Sequence, residues 1–244
     1  MPTEVAPGIH RLGNEIVNFY LVEGDGGLTL VDAALPGFRG QLETFLAERR
    51  KTLAGIDAVA LTHAHPDHVG VAEAVRAAGV PVYVHEADAE MARTAKAPKR
   101  ERSLIPYLRH RSAWRVLGVM ARSSGPRPVK VAEVTPFSGD VPLDIPGRPR
   151  PIHTPGHSHG HVAYHFADRG VLMTGDAMCT WNPLTGRPGP QVMPAGLAVS
   201  SATELESLAH LEGLEAGLLL PGHGEPWTDG VAAAIARARE LGPS

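Results

Sequence analysis

Cross-linking chemistry is nearly missing from this chain: a single cysteine, Cys179, stands among 244 residues. One thiol excludes an intramolecular disulfide framework and a cysteine-rich zinc module. Large aromatics are scarce, with five Phe, four Tyr and three Trp. No apolar run approaches the ~20 residues that a membrane helix needs. The opening Met-Pro-Thr-Glu-Val carries an acid where a secretory signal would have basic residues and then an apolar stretch, so a cytoplasmic protein is expected. At 43% hydrophobic and 20% charged residues, the chain has the composition of a protein with a sizeable core. Its length predicts one large domain over residues 1–244.

What the sequence has in excess is histidine: thirteen, more than all its Phe, Tyr and Trp together. The formal charge of −3 conceals a second anomaly. Residues 93–130 hold eleven Lys or Arg against one acid, Glu101, which leaves 12 basic and 25 acidic residues elsewhere. Such a segment is either solvated surface or a cap that attracts an anionic substrate or partner, or that rests on an acidic membrane surface. Tyr107, Trp114, Leu117 and Met120 lie among its charges, which predicts helices with an apolar side over about 90–130. No nucleic-acid partner is expected, because the chain as a whole is not basic.

Hydrophobic patterning predicts strands at Ile16–Val22, Leu28–Asp32, Ala58–Leu61, Val80–Val84, Val129–Val134, Arg150–His153, His161–Phe166, Gly170–Thr174 and Gly217–Leu220. Helices are predicted over Phe38–Arg50, Val69–Ala78, Thr203–Leu214 and Val231–Leu241. Strands and helices in both halves, flanking a different middle, predict a layered α/β domain with an insertion.

The chemistry concentrates at strand ends. Thr62-His63-Ala64-His65-Pro66-Asp67-His68 follows an apolar strand and opens a helix. Three imidazoles and a carboxylate so close together need partners if buried, and one metal ion would satisfy them jointly. Imidazole and carboxylate without thiolate suit Zn²⁺, with Mn²⁺ or Fe as alternatives. His153-Thr154-Pro155-Gly156-His157, Thr174-Gly175-Asp176 and Pro221-Gly222-His223-Gly224 repeat the placement, each beside Gly or Pro turns. Four strand ends converging on one rim make a site.

The series His63-x-His65-x-Asp67-His68, then His157, Asp176 and His223, resembles the metallo-β-lactamase superfamily, whose fold is a four-layer αββα sandwich. Val31-Asp32 also resembles that family's strand-end Asp, so the likeness covers nearly the whole chain. It implies that His63, His65 and His157 hold one zinc, that Asp67, His68 and His223 hold a second, and that Asp176 bridges them. It further implies catalysis by a metal-bridging hydroxide, with Asp67 placed to move a proton to the leaving group. Asp32 and His161 are expected behind the ligands, orienting them. Cys179 is expected to be a small buried hydrophobe.

Within that family, β-lactamases generally lack an Asp at the position of Asp176, which shifts weight to the glyoxalase II and lactonase-like branch. Only about twenty residues follow His223, too few for glyoxalase II's helical domain. No Tyr follows Asp176 closely as in the lactonases; Tyr20, Tyr107 and Tyr164 are unassigned candidates. The expectation is a hydrolase of carboxylic ester, lactone or thioester bonds acting on a small acyl substrate, with an anionic handle met by the cap residues Tyr107, Arg111, Trp114 and Arg115. Competing readings are a mononuclear iron sulfur dioxygenase, a β-lactam hydrolase and a non-catalytic ligand-binding member. A homodimer is one open option for the oligomeric state.

Overall fold

Alternation of side chains along the strands decides the layering. The computed structural model describes residues 2–14, 16–124 and 128–244. Seven strands form the first sheet in chain order: β1 (Thr3–Ala6), β2 (Ile9–Gly13), β3 (Asn18–Gly24), β4 (Gly27–Val31), β5 (Ala58–Ala60), β6 (Val82–His85) and β7 (Thr135–Phe137). The first four are antiparallel and the last four parallel. A second sheet contains β8 (Arg150–His153), β9 (Val162–Phe166), β10 (Val171–Gly175) and, parallel to β10, β13 (Leu218–Pro221), after a hairpin of β11 (Cys179–Trp181) and β12 (Pro188–Gln191).

In β3, Phe19 and Leu21 enter a core under helices α1 (Arg39–Glu48), α2 (Pro66–Val69), α3 (Ala72–Ala77) and α4 (Ala89–Thr94), while Tyr20 and Val22 enter a core between the sheets. Across that middle core stand Val162, Tyr164, Val171, Met173 and Leu220. Ala163, Leu172 and Leu219 turn the other way, onto the outer helices, where Leu208, Leu211, Val231 and Ile235 cover them. A period of two on both sheets therefore gives three apolar layers and four structural ones. Each buried Leu or Phe stabilises this arrangement by roughly 1.5–3 kcal/mol.

Some elements differ from the sequence expectation. The segment 129–134 forms no strand; Val131 donates its N–H to Ala92 O and closes the end of α4, and the edge strand is β7, beginning at Thr135. The helix expected over Val69–Ala78 is split, because Gly70 and Val71 donate their N–H groups to Ala34 O and Ala33 O instead of continuing the helical ladder. The helix expected over Thr203–Leu214 is α6 (Ser201–Ser207) followed by a 3₁₀ turn, and α7 spans Gly230–Leu241. Strands β1 and β2 and the β11–β12 hairpin are additions. The basic middle is helical in its second half, with a 3₁₀ turn at Ile105–Arg109 and α5 (Arg111–Ser123), while residues 95–104 form no helix; its residues 125–127 lie outside the described residues.

Candidate metal centre

The ends of β4, β5, β10 and β13 and the loop between β8 and β9 meet at one edge of the sandwich. Ligands collect at the C-terminal ends of strands in such sheets because successive loops leave from there together. Pro66 opens α2, which fixes the exit angle of His65 and places Asp67 and His68 in the first turn. At Gly222 an added Cβ would lie 2.3 Å from Asp176 Oδ1 and 2.8 Å from His68 Cε1, so a side chain there would occupy the floor of the site.

Seven predicted ligand residues come together. His157 Nε2 lies 2.8 Å from His65 Nδ1 and 3.1 Å from His63 Nε2. Asp176 Oδ2 is 3.3 Å from both His157 Nε2 and His223 Nε2, and Oδ1 is 3.5 Å from His68 Nε2. Asp67 Oδ2 sits 3.6 Å from His223 Nε2. Three groups have all their ligand atoms within 4.8 Å: His63, His65 and His157; His63, His68 and Asp176; and Asp67, His68 and His223. Asp176 thus stands between two imidazole groups.

The donor set fits divalent cations. Imidazole nitrogens cannot point their lone pairs at each other at ~3 Å without a proton or a cation between them. His68 Nε2 and Asp176 Oδ1 are buried with no hydrogen-bond partner among the described residues, an arrangement costly without an ion to complete it. The thiol stays apart: Cys179 is buried beside Gln191 O, and burial pushes its pKa well above the ordinary value.

Behind the ligands, hydrogen bonds choose which nitrogen faces the centre. His68 Nδ1–H donates to Asp32 Oδ2 at 2.8 Å, and His63 Nδ1–H donates to Thr62 Oγ1 at 3.0 Å. Thr62 in turn donates its hydroxyl and its N–H to Asp32. Asp32 does this from a left-handed backbone, φ 58°, a conformation that costs a non-glycine residue free energy. His223 Nδ1–H donates to Ile16 O. His161 does not join the cluster of ligands; Asp176 N–H donates to its Nε2 at 2.9 Å, and its Nδ1–H donates to Thr154 Oγ1 at 2.8 Å. Burial pushes His161 down to about 3, so it stays neutral and keeps that acceptor.

The electrostatics divide the ligands. Burial, with neighbouring imidazoles adding to it, pushes His63 and His157 well below their ordinary value, leaving neutral donors. Burial alone would raise the Asp176 carboxyl, but His223 and His68 outweigh it and hold Asp176 well below the usual carboxylate range. His68 and His223 move upward because Asp176, helped by Asp32 at His68, outweighs their burial. A cation held between them would take the place of those protons.

Sequence reasoning did not single out Asp88, which pins two ligand loops. Its Oδ2 accepts from Ala64 N–H at 3.2 Å and Ser158 Oγ at 2.6 Å, and its Oδ1 accepts from Gly160 N–H at 2.7 Å. It stands three residues beyond the end of β6, a strand-end carboxylate like Asp32 and Asp176. Asn18 and Tyr20 hold the third loop, donating to Pro221 O and, from Asn18, also to Gly224 O.

A cavity of about 210 Å³ rises from His65, Asp67, His157, Asp176 and His223. Its walls are apolar: Leu104, Leu108, Ala113, Val116, Leu117 and Met120 from the cap face Pro183, Leu184, Met193 and Leu197. Tyr107 lines it and donates its hydroxyl to Ser244 O; Tyr20 and Tyr164 are buried elsewhere, their hydroxyls on Pro221 O and Leu61 O. Arg111, Trp114 and Arg115 do not line it, because α5 turns Ala113, Val116, Leu117 and Met120 inward; Arg100 is the basic residue at the wall.

Residues 12–223 match the family model of the metallo-β-lactamase superfamily. The chain belongs to that superfamily. Among curated proteins it is 29% identical over 250 residues to the probable metallo-hydrolase YflN of Bacillus subtilis, covering 92% of this chain and 87% of that one. A shorter likeness, 58% over 31 residues, reaches the hydroxyacylglutathione hydrolase of Gloeobacter violaceus, covering 13% of this chain and 12% of that one. Among solved structures, a metallo-β-lactamase family protein of Thermus thermophilus shares 28% identity at a TM-score of 0.67, covering 98% of this chain and 79% of the other. The subclass B3 metallo-β-lactamase BJP-1 of Bradyrhizobium japonicum has a TM-score of 0.68 over 98% and 91% of the two chains, at 18% identity, and so shares the fold. Family and relatives make this chain a metallo-β-lactamase-fold metallohydrolase, with His/Asp groups suited to divalent metal.

Proposed function

We propose that the chain hydrolyses a carboxylic ester, lactone or thioester of an apolar acyl group, using two zinc ions: one held by His63, His65 and His157, the other by Asp67, His68 and His223, with Asp176 shared. The observation that carries this reading is the Asp176 carboxylate, 3.3 Å from an imidazole of each group, at the floor of an apolar cavity. Bound zinc supplies water deprotonated at neutral pH and polarises the carbonyl oxygen under attack.

The chain's own residues do the rest. The hydrogen bonds from His63, His68 and His223 to Thr62, Asp32 and Ile16 fix the imidazoles before substrate arrives, so little reorganisation remains for the reaction. Asp67, the partly buried carboxylate at the cavity floor, would take the proton that the attacking hydroxyl gives up on adding to the carbonyl and pass it to the leaving oxygen or sulfur. Leu104, Val116, Met120 and Leu197 take the acyl chain and exclude water. Arg100 is the wall residue suited to an anionic handle. A panel of esters, thioesters, lactones, β-lactams and phosphodiesters, assayed after zinc loading, tests the reading. Turnover of apolar acyl esters or thioesters supports it; turnover confined to β-lactams or phosphodiesters, or oxygen uptake with a persulfide, overturns it.

A further inference from the structure

The cap carries an apolar surface that reaches beyond the cavity into solvent. Five large hydrophobic side chains are exposed among the described residues: Ile105 at 75%, Leu108 at 38%, Trp114 at 59%, Leu117 at 44% and Val141 at 73%. Scattered exposed hydrophobes are ordinary, but the first four lie within one stretch of the cap. Ile105 and Leu108, three residues apart in a 3₁₀ turn, share a face. Trp114 Nε1 donates to Leu108 O at 2.8 Å, which joins that turn to α5. Leu108 and Leu117 also line the cavity, so the patch is its rim.

Charge surrounds it. Helical spacing puts Arg111, Arg115 and Arg122 on one stripe of α5, with Trp114 and Leu117 to one side. Within residues 93–130 the one acid, Glu101, is occupied, accepting from Ser201 N–H.

We propose that this face docks on an anionic phospholipid bilayer, the apolar rim entering the headgroup boundary and the arginines meeting the phosphates. An exposed Trp and Leu beside a stripe of Arg, on a helix without acids, is the composition of helices that lie in a membrane interface. Outside residues 93–130, acids outnumber basic residues 25 to 12, so an anionic surface repels the body and orients the cap toward it. A second copy is a poorer occupant. Cap-to-cap pairing would oppose two basic segments, and the acidic body offers Val141 as its one large exposed hydrophobe among the described residues. The cavity then opens toward the lipid, and an apolar acyl substrate reaches the metal centre without crossing water. This last step rests on the hydrolase reading; the docking does not.

Flotation of the zinc-loaded full chain with vesicles tests it without any substrate. Vesicles of phosphatidylglycerol mixed with phosphatidylcholine are expected to bind at least about tenfold more strongly than phosphatidylcholine alone. That binding is expected to fall away between ~0.05 and ~0.5 M salt. Ile105→Glu and Arg122→Glu, both outside the cavity lining, should each weaken binding at unchanged turnover of a soluble short-chain ester. Val141→Glu, on an equally exposed residue elsewhere, should not. Equal binding to both vesicle types, no binding to either, or full binding by folded Ile105→Glu overturns the proposal, as does a solution dimer that Ile105→Glu dissociates. The wild-type vesicle and salt comparisons decide the matter even where a variant fails to fold.

Discussion

The floor of the site and its cap are held by different forces. At the floor, Asp32, Asp88, Thr62, His161 and Asn18 fasten the ligand loops through buried hydrogen bonds, several of them to a carboxylate. In the cap, a small apolar cluster of Tyr107, Ala113 and Leu184 with Leu104 and Leu197 meets the body, hydrogen bonds from Tyr107 to Ser244 O and from Ser112 to Pro183 O join it, and hydrophobic side chains remain exposed. Charged hydrogen bonds are directional and fix atoms to fractions of an ångström, whereas apolar contact is non-directional and tolerates change in shape. The floor is therefore suited to fixing a reaction and the cap to selecting what reaches it.

The sharpest way to break this division is at the shared carboxylate. Asp176→Asn should lower kcat/KM by about a thousandfold or more and reduce bound metal, measured by kinetics and elemental analysis on the same sample. Next comes a pin that touches no ligand side chain. Asp88→Ala removes the acceptor for three donors and should cost about 3 kcal/mol of stability by denaturant unfolding, with a loss of metal affinity of about tenfold. A cap change should act on selection alone. Ala113→Leu, which narrows the cavity, is expected to reduce kcat/KM for a long acyl ester relative to an acetyl ester by about tenfold, with metal content unchanged. Smallest of all, Arg111→Ala with Arg115→Ala should alter kcat/KM for a soluble ester by no more than about twofold, since neither lines the cavity.

The two regions were also unequally legible in the sequence. The ligand series could be read because each residue follows an apolar strand and sits beside a turn residue, and the structure brings all seven together. Asp32 enters through the family resemblance and His161 through its nearness to His157; Asp32 accepts from His68 Nδ1–H, and His161 Nε2 accepts from Asp176 N–H. Asp88 obeys the strand-end rule too, but its role comes from contacts 24 and 70 residues away, which local pattern does not reveal. In the cap, composition announced helices and charge without saying which side of α5 would face inward. The sequence offers the arginines as substrate contacts, whereas packing against Pro183, Leu184 and Leu197 turns the apolar side of the helix to the cavity. Short strands such as β1 and β11, with three or four residues each, carry too little periodicity to be seen.

On the proposed reading, a pair of metal ions shares Asp176 beneath an apolar acyl cavity. Stepwise zinc addition to metal-free protein, with hydrolysis of an apolar acyl ester followed at each step, tests it most directly. Activity that rises until about two zinc ions are bound per chain is the predicted result. Activity complete at one ion per chain, or restored by iron alone with consumption of oxygen, would contradict it.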